Sequence, residues 1–258
     1  MRRPDFIAPT ALGPAEEVAA RAAALNARYR HHGATAVLRH AMEDPEVGRL
    51  ALVSSFGAES VVLLHMVAVT DRSLPVLFID TEMLFAETLA YQLDLTERLR
   101  LSNVQVVRPP RDAVFERDNE GLLHQVDPDA CCALRKTEPL ERALAGFDAW
   151  ITGRKRYQGG ARAALEFFEA EGGTGRIKVN PLAHWGAQDV QDYIAENRLP
   201  RHPLVAKGFP SIGCAPCTTR VGDGEDPRAG RWRNLDKVEC GIHFIGGKLV
   251  RGPVAAAE

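Results

Sequence analysis

Leu50-Ala51-Leu52-Val53-Ser54-Ser55-Phe56-Gly57-Ala58-Glu59-Ser60 is the stretch on which the fold turns. Four consecutive apolar residues running into a Ser- and Gly-containing turn read as a strand buried on both faces. The apolar run from Ser60 to Thr70 reads as the helix that follows it. Working outward, Val76-Leu77-Phe78-Ile79 and Val104-Gln105-Val106-Val107 repeat the strand pattern, with a helix between them reaching about Arg100. A helix over 137–144, a strand at Ala149-Trp150-Ile151-Thr152-Gly153, another at 177–182 and a helix over 187–197 continue the alternation. Residues 14 to 43 carry apolar positions at helical spacing and read as one or two further helices. Strands alternating with helices predict an α/β fold, a mostly parallel twisted sheet with helices on both faces. Past about Arg198 the Gly and Pro content rises, so a loop-rich C-terminal segment is expected. The expected division is an N-terminal helical region (1–45), an α/β domain (46–200) and that segment (201–258).

The chain has 258 residues, 45% hydrophobic and 26% charged, the profile of a globular protein with a sizeable core. Its formal net charge of −2 offers no bulk basic field for nucleic acid or an anionic membrane. No apolar run is long enough to span a bilayer. The start, Met1-Arg2-Arg3-Pro4-Asp5-Phe6, lacks the apolar stretch of a secretory signal. A cytoplasmic setting is therefore expected, where close cysteine pairs are more often metal or redox groups than structural disulfides.

In open α/β sheets, ligands bind beyond the carboxyl ends of the strands. That rule places Ser54 to Ser60, Ile79-Asp80-Thr81 and Thr152-Gly153 on one rim. Gly57 permits a tight turn, and the N–H groups opening the next helix suit an anion. The turn is neither a Walker A loop nor a dinucleotide fingerprint, and strand-to-helix turns of this composition are also ordinary structure. Arg154-Lys155-Arg156-Tyr157-Gln158-Gly159-Gly160-Ala161-Arg162 is a basic loop at the fourth strand's end, suited to an anionic ligand or simply solvated.

The five cysteines divide into Cys131-Cys132, Cys214-Ala215-Pro216-Cys217 and a lone Cys240. Two close pairs of thiolates match a tetranuclear iron–sulfur cluster, which offers one iron per sulfur. A structural zinc would accept Cys214 and Cys217, but adjacent Cys131 and Cys132 fit poorly on one atom; four unmetallated thiols are the remaining reading. Arg135 and Lys136 follow the first pair and would favour a negatively charged cluster. The odd thiol, Cys240, has polar and Gly-rich neighbours and is a candidate nucleophile rather than a core residue.

Together these segments resemble the assimilatory adenylyl-sulfate reductases, the iron–sulfur branch of the adenylyl-sulfate and phosphoadenylyl-sulfate reductases. The resemblance rests on Cys131-Cys132-Ala-Leu-Arg-Lys-Thr-Glu-Pro-Leu140, Phe209-Pro-Ser-Ile-Gly-Cys-Ala-Pro-Cys217 and Glu239-Cys-Gly-Ile-His243, supported by Phe78-Ile-Asp-Thr81, Ile151-Thr-Gly153 and Arg228-Ala-Gly-Arg-Trp232. It spans about residues 50–244. It implies an adenine-nucleotide α-hydrolase-like fold that binds adenosine 5′-phosphosulfate. It further implies one [4Fe-4S] cluster per subunit on Cys131, Cys132, Cys214 and Cys217, with Cys240 as the catalytic residue on a mobile C-terminal tail. By the same resemblance Ser54, Ser55, Gly57, Glu59, Ser60, Ile79 and Thr81 hold the adenosine half. Lys136, Arg162, Arg228, Arg231 and His243 surround the phosphosulfate.

The implied chemistry is attack of a thiolate on an electrophilic sulfur, an S-sulfocysteine on Cys240, and release of sulfite by thioredoxin or glutaredoxin. A homo-oligomer is expected by the same analogy. The chain departs from the family in three places: Glu82 stands where Gly often follows Asp-Thr, Lys155-Arg156-Tyr157-Gln158 replaces Arg-Arg-Asp-Gln, and 231–240 is shorter. Alternatives are a phosphoadenylyl-sulfate reductase, with Arg154, Lys155 and Arg156 taking the 3′-phosphate, an ATP-pyrophosphatase-type adenylyl transferase, and a non-catalytic iron–sulfur sensor.

Overall fold

The computed structural model describes residues 13–233 and residue 237. Six strands form one sheet: β1 (Leu50–Ser54), β2 (Val76–Ile79), β3 (Val104–Val107), β4 (Ala149–Ile151), β5 (Phe168–Ala170) and β6 (Ile177–Val179). Their order is β3-β2-β1-β4-β6-β5, and every pairing is parallel except β5 with β6. The expected α/β sheet is present. The antiparallel edge strand β5 has no counterpart in the sequence reading, because Phe168-Glu169-Ala170 is too short to show a period.

The strand alternation sorts side chains to two faces. Leu50 and Leu52 of β1 join a large core with Val18 and Leu25 of α1 (Pro14–Tyr29), Leu38 of α2 (Ala34–Glu43), Leu64 of α3 (Ser60–Thr70), Leu95 of α4 (Ala86–Leu99) and Val190 of α9 (Ala187–Glu196). Ala51 points the other way, into a smaller core with Leu77, Trp150 and the α8 (Glu138–Leu144) residues Leu140 and Leu144. The α3 run is buried from Val61 to Ala68 apart from the half-buried His65, while Val69 is 68% exposed. Trp185 packs against Tyr193, and the Asp189 carboxylate accepts from Gly186 N–H, so the turn at 184–186 serves the start of α9.

From β1 the chain proceeds to β2 and β3 on one side, then returns to lay β4 on the other side of β1. This reversal opens a crevice at the carboxyl ends of β1 and β4, where open sheets bind ligands. Before β4 the chain makes the short helices α5 (Arg111–Asp118), α6 (Leu123–Val126) and α7 (Pro128–Cys132), then a π turn over Ala133–Thr137 that leads into α8. After α9 the described residues form only short 3₁₀ turns, at Val205–Lys207 and Ala215–Cys217.

Candidate active site

A cavity of about 360 Å³ occupies the crevice, within the size range of small-ligand sites. Ser54, Ser55, Gly57, Glu59 and Ser60 line it from the β1–α3 turn, and Ile79 and Thr81 from the end of β2 and the turn after it. Lys136 enters from the π turn, Arg162 from the loop after β4, and Arg228 and Arg231 from the C-terminal segment. The substrate residues expected from sequence thus gather around one space, apart from His243; both His243 and Cys240 lie outside the described residues. The β1–α3 turn holds Phe56 at φ 48, with its N–H donating to Ser54 Oγ at 3.1 Å. A left-handed non-glycine residue costs about 1–2 kcal/mol. Burying the Phe56 ring edge-on to Phe78, centroids 5.1 Å apart, contributes roughly 2 kcal/mol and offsets that strain.

The basic loop after β4 spends its charge internally. Lys155 is buried, and its ammonium donates to Glu59 Oε2 at 2.7 Å and to Gly153 C=O at 3.0 Å. Burial lowers the Lys155 pKa, and the Glu59 carboxylate opposes that shift. Tyr157 OH donates to the other Glu59 oxygen at 2.8 Å. Arg154 is buried and pairs with Glu169, while Arg156 pairs with Glu166 at 2.8 Å. Arg162 donates to Gln158 Oε1. A carboxylate in the cavity wall is therefore clamped by a lysine and a tyrosine from a separate loop.

The four described cysteines line a second, smaller cavity of about 20 Å³. Cys131 and Cys132 end α7, whose first turn is capped by Asp127 accepting from Asp129 and Ala130 N–H. The ladder then widens into the π turn; Pro139, which brings no N–H, sits just beyond it. Such wide turns cluster at functional sites. Cys214 precedes and Cys217 ends the 3₁₀ turn across the cavity, and Ala215 N–H donates to Met83 C=O at 2.8 Å, seating that turn against the residues after β2. Thr81 Oγ1 lies 3.2 Å from Cys214 Sγ.

Burial, then the neighbouring Cys132 and Cys214 thiols, push the Cys131 pKa up to about 12. Burial and the Cys214 and Cys132 thiols also raise Cys217, with Arg231 and Lys136 opposing. Within this group of four thiols, Cys131 and Cys217 resist ionisation until a cationic centre takes the place of their protons. Their chemistry and common cavity fit a thiolate-ligated cluster. Among the described residues, no group of three or more His, Cys, Asp or Glu converges on a point for a single metal ion, so the fit is to a cluster that offers each sulfur its own iron.

Arg135 is buried and lines the cysteine cavity, with its guanidinium held by a carboxylate and a carbonyl. It donates to Asp118 Oδ2 through Nε (3.0 Å) and Nη2 (2.8 Å), and to Thr81 C=O at 3.2 Å. Burial alone would raise the Asp118 carboxyl; the Leu123 N–H and the Arg135 guanidinium outweigh it and hold its pKa below the ordinary value. Glu82 adopts φ 60, which explains why glycine suits this position and what its replacement costs. Lys237 Nζ donates to Asp129 Oδ1 at 2.7 Å and Pro128 C=O at 3.3 Å, against the helix that carries the first cysteine pair.

Thr81, Lys136, Cys214, Arg231 and Trp232 line both cavities, so one wall separates them. Sequence reasoning missed Tyr157, Asp118, Trp232 and Lys237. Tyr157 and Trp232 stand inside stretches it did mark; Asp118 and Lys237 carry no local signal, since their partners are distant in the chain.

Residues 49–220 match the phosphoadenosine phosphosulfate reductase domain. The chain is 50% identical over 236 residues to the adenosine 5′-phosphosulfate reductase of Mesorhizobium japonicum, covering 91% of this chain and 92% of that protein. The phosphoadenosine 5′-phosphosulfate reductase of Gloeobacter violaceus is 43% identical, with 76% and 82% covered. Among solved structures, the phosphoadenylyl-sulfate reductase of Candida auris, in a phosphate complex, superposes with a TM-score of 0.68 at 27% identity, covering 82% of this chain and 100% of that one. The FMN adenylyltransferase of Candida glabrata, in complex with FAD and pyrophosphate, reaches a TM-score of 0.53 at 15% identity over 93% of this chain and 88% of its own, a likeness of fold.

Proposed function

The chain belongs to the phosphoadenosine phosphosulfate reductase family, and on that premise we propose that it reduces adenosine 5′-phosphosulfate to sulfite and AMP in sulfate assimilation. One observation carries the reading: a nucleotide-sized cavity at the sheet's switch point shares a wall with a four-cysteine cavity. The adenosine half occupies the β1–α3 turn and the end of β2. The phosphosulfate faces Lys136, Arg162, Arg228 and Arg231, whose charge offsets that of the anionic oxygens. The family resemblance assigns His243, which lies outside the described residues, to the same group.

Cys131, Cys132, Cys214 and Cys217 would hold a [4Fe-4S] cluster through their thiolates. When bound it supplies a fixed charge beside Lys136 and the wall. Cys240 is then the one thiol left. Its thiolate attacks the sulfate sulfur, the bond from that sulfur to the bridging oxygen breaks, and AMP leaves. A reduced dithiol protein, thioredoxin or glutaredoxin, attacks Cys240 Sγ and expels sulfite; its second thiol closes a disulfide and restores Cys240. The donor supplies both electrons.

The loop pairings favour adenosine 5′-phosphosulfate over its 3′-phosphorylated form, since Arg154, Lys155 and Arg156 each end on a carboxylate. An adenylyl transferase would use the β1–α3 turn but has no need of the cysteine wall. In an anaerobic single turnover with sulfur-labelled substrate, wild type is expected to carry label on the protein and release it as sulfite on adding reduced thioredoxin. Cys240→Ser is expected to carry none; a labelled Cys240→Ser would sink the assignment.

A further inference from the structure

We infer that Gly213 and Trp232 form a slot that positions the Arg231 guanidinium on the wall between the two cavities, an inference that rests on the reading of Arg231 as facing the phosphosulfate. A Cβ built on Gly213 would lie 2.3 Å from Arg231 Nη2, 2.5 Å from Cζ and 3.0 Å from Nε. The guanidinium therefore lies directly on the Gly213 backbone. The Trp232 ring also lies against it, 4.4 Å from Cζ to the centroid. Gly213 does not have positive φ, so its conformation is open to any residue. What glycine provides here is room for the arginine.

Both walls are firmly seated. Gly213 N–H donates to Thr218 Oγ1 at 3.2 Å, Thr218 bridges Arg231 across an antiparallel pair, and Trp232 N–H donates to Cys217 C=O at 3.0 Å. Arg231 Nη1 donates to Ile212 C=O at 3.3 Å, whereas its buried Nε has no hydrogen-bond partner among the described residues. A buried donor without an acceptor, at a seam between a ligand cavity and a thiol cavity, is suited to an anionic oxygen. Gly230 makes an instructive contrast. Its Cβ would meet the Thr219 carbonyl oxygen at 2.2 Å, a backbone clash. At Gly213 the colliding atoms belong to the tip of a flexible side chain, so alanine is accommodated by displacing Arg231.

The test is a double-mutant cycle on the iron-loaded enzyme, with kcat/KM for adenosine 5′-phosphosulfate and iron and sulfide content measured for each variant. Arg231→Ala is expected to lower kcat/KM about a hundredfold, as removal of one preorganised donor does. Gly213→Ala is expected to cost a similar factor, about a hundredfold for a misplaced group, with iron and sulfide unchanged. In the Arg231→Ala background, Gly213→Ala is expected to cost nothing more. Trp232→Leu, which takes the ring away from the guanidinium, is expected to show the same dependence on Arg231.

Loss of iron from Gly213→Ala would overturn the slot, because the glycine would then serve the cysteine turn. Full additivity of Gly213→Ala with Arg231→Ala would overturn it too. A silent Gly213→Ala beside an impaired Arg231→Ala would sink the slot alone. A silent Arg231→Ala would sink the site reading and the slot together.

Discussion

Two groups of cations stand in segments that border the same cavity, and their surroundings differ. In the loop after β4, Lys155 ends on Glu59, Arg154 on Glu169 and Arg156 on Glu166. On the cysteine side, Lys136 and Arg231 stand in the wall shared with the thiols, and Arg228 lines the larger cavity near them. The first group fastens a loop to the sheet. The second lines the space where a phosphosulfate would sit. Charge type alone does not distinguish them: the first group is tied to Glu59, Glu169 and Glu166, while Lys136 and Arg231 of the second share their wall with the cysteines.

The contrast can be broken by substitution, and the largest effect is expected on the cysteine side. Lys136→Ala should lower kcat/KM about a hundredfold, with an unchanged unfolding midpoint; a loss below threefold would erase the distinction. Glu59→Gln comes next, and its effect should fall on stability. It leaves the buried Lys155 ammonium without its countercharge, a cost of about 3 kcal/mol, read from the urea midpoint. Arg156→Ala should matter least. Its partner Glu166 is 52% exposed, and such pairs contribute at most about 1 kcal/mol, with turnover unaltered.

Much of the sheet was legible because buried parallel strands are short apolar runs between turns. β2 and β3 match their expected bounds of 76–79 and 104–107, and α3 matches 60–70. β6 stops at Val179, short of the expected 182, because Asn180 leaves the strand: its N–H donates to Phe167 C=O and its side chain to Glu166 C=O. The π turn was invisible, since no residue pattern in Ala133–Thr137 separates it from a regular helix. On the site, the residue types were legible and their pairings were not. Glu59 showed itself as a rim residue, but its clamp by Lys155 and Tyr157 spans nearly a hundred positions. Gly213 is glycine for want of space, and only the position of Arg231 reveals that.

The wide turn between Cys132 and α8 has one more consequence, for the phase of the helices on either side. Leu140 and Leu144 lock α8 to the sheet at one rotational setting. Cys131 and Cys132 need their own setting to face Cys214 and Cys217. A regular helix advances about 100° per residue, and the surplus residue of a π turn shifts the phase between the two by about that angle. The surplus residue in the turn reconciles them, and deleting it would swing both sulfurs more than a quarter circle away from their partners while leaving the sheet intact.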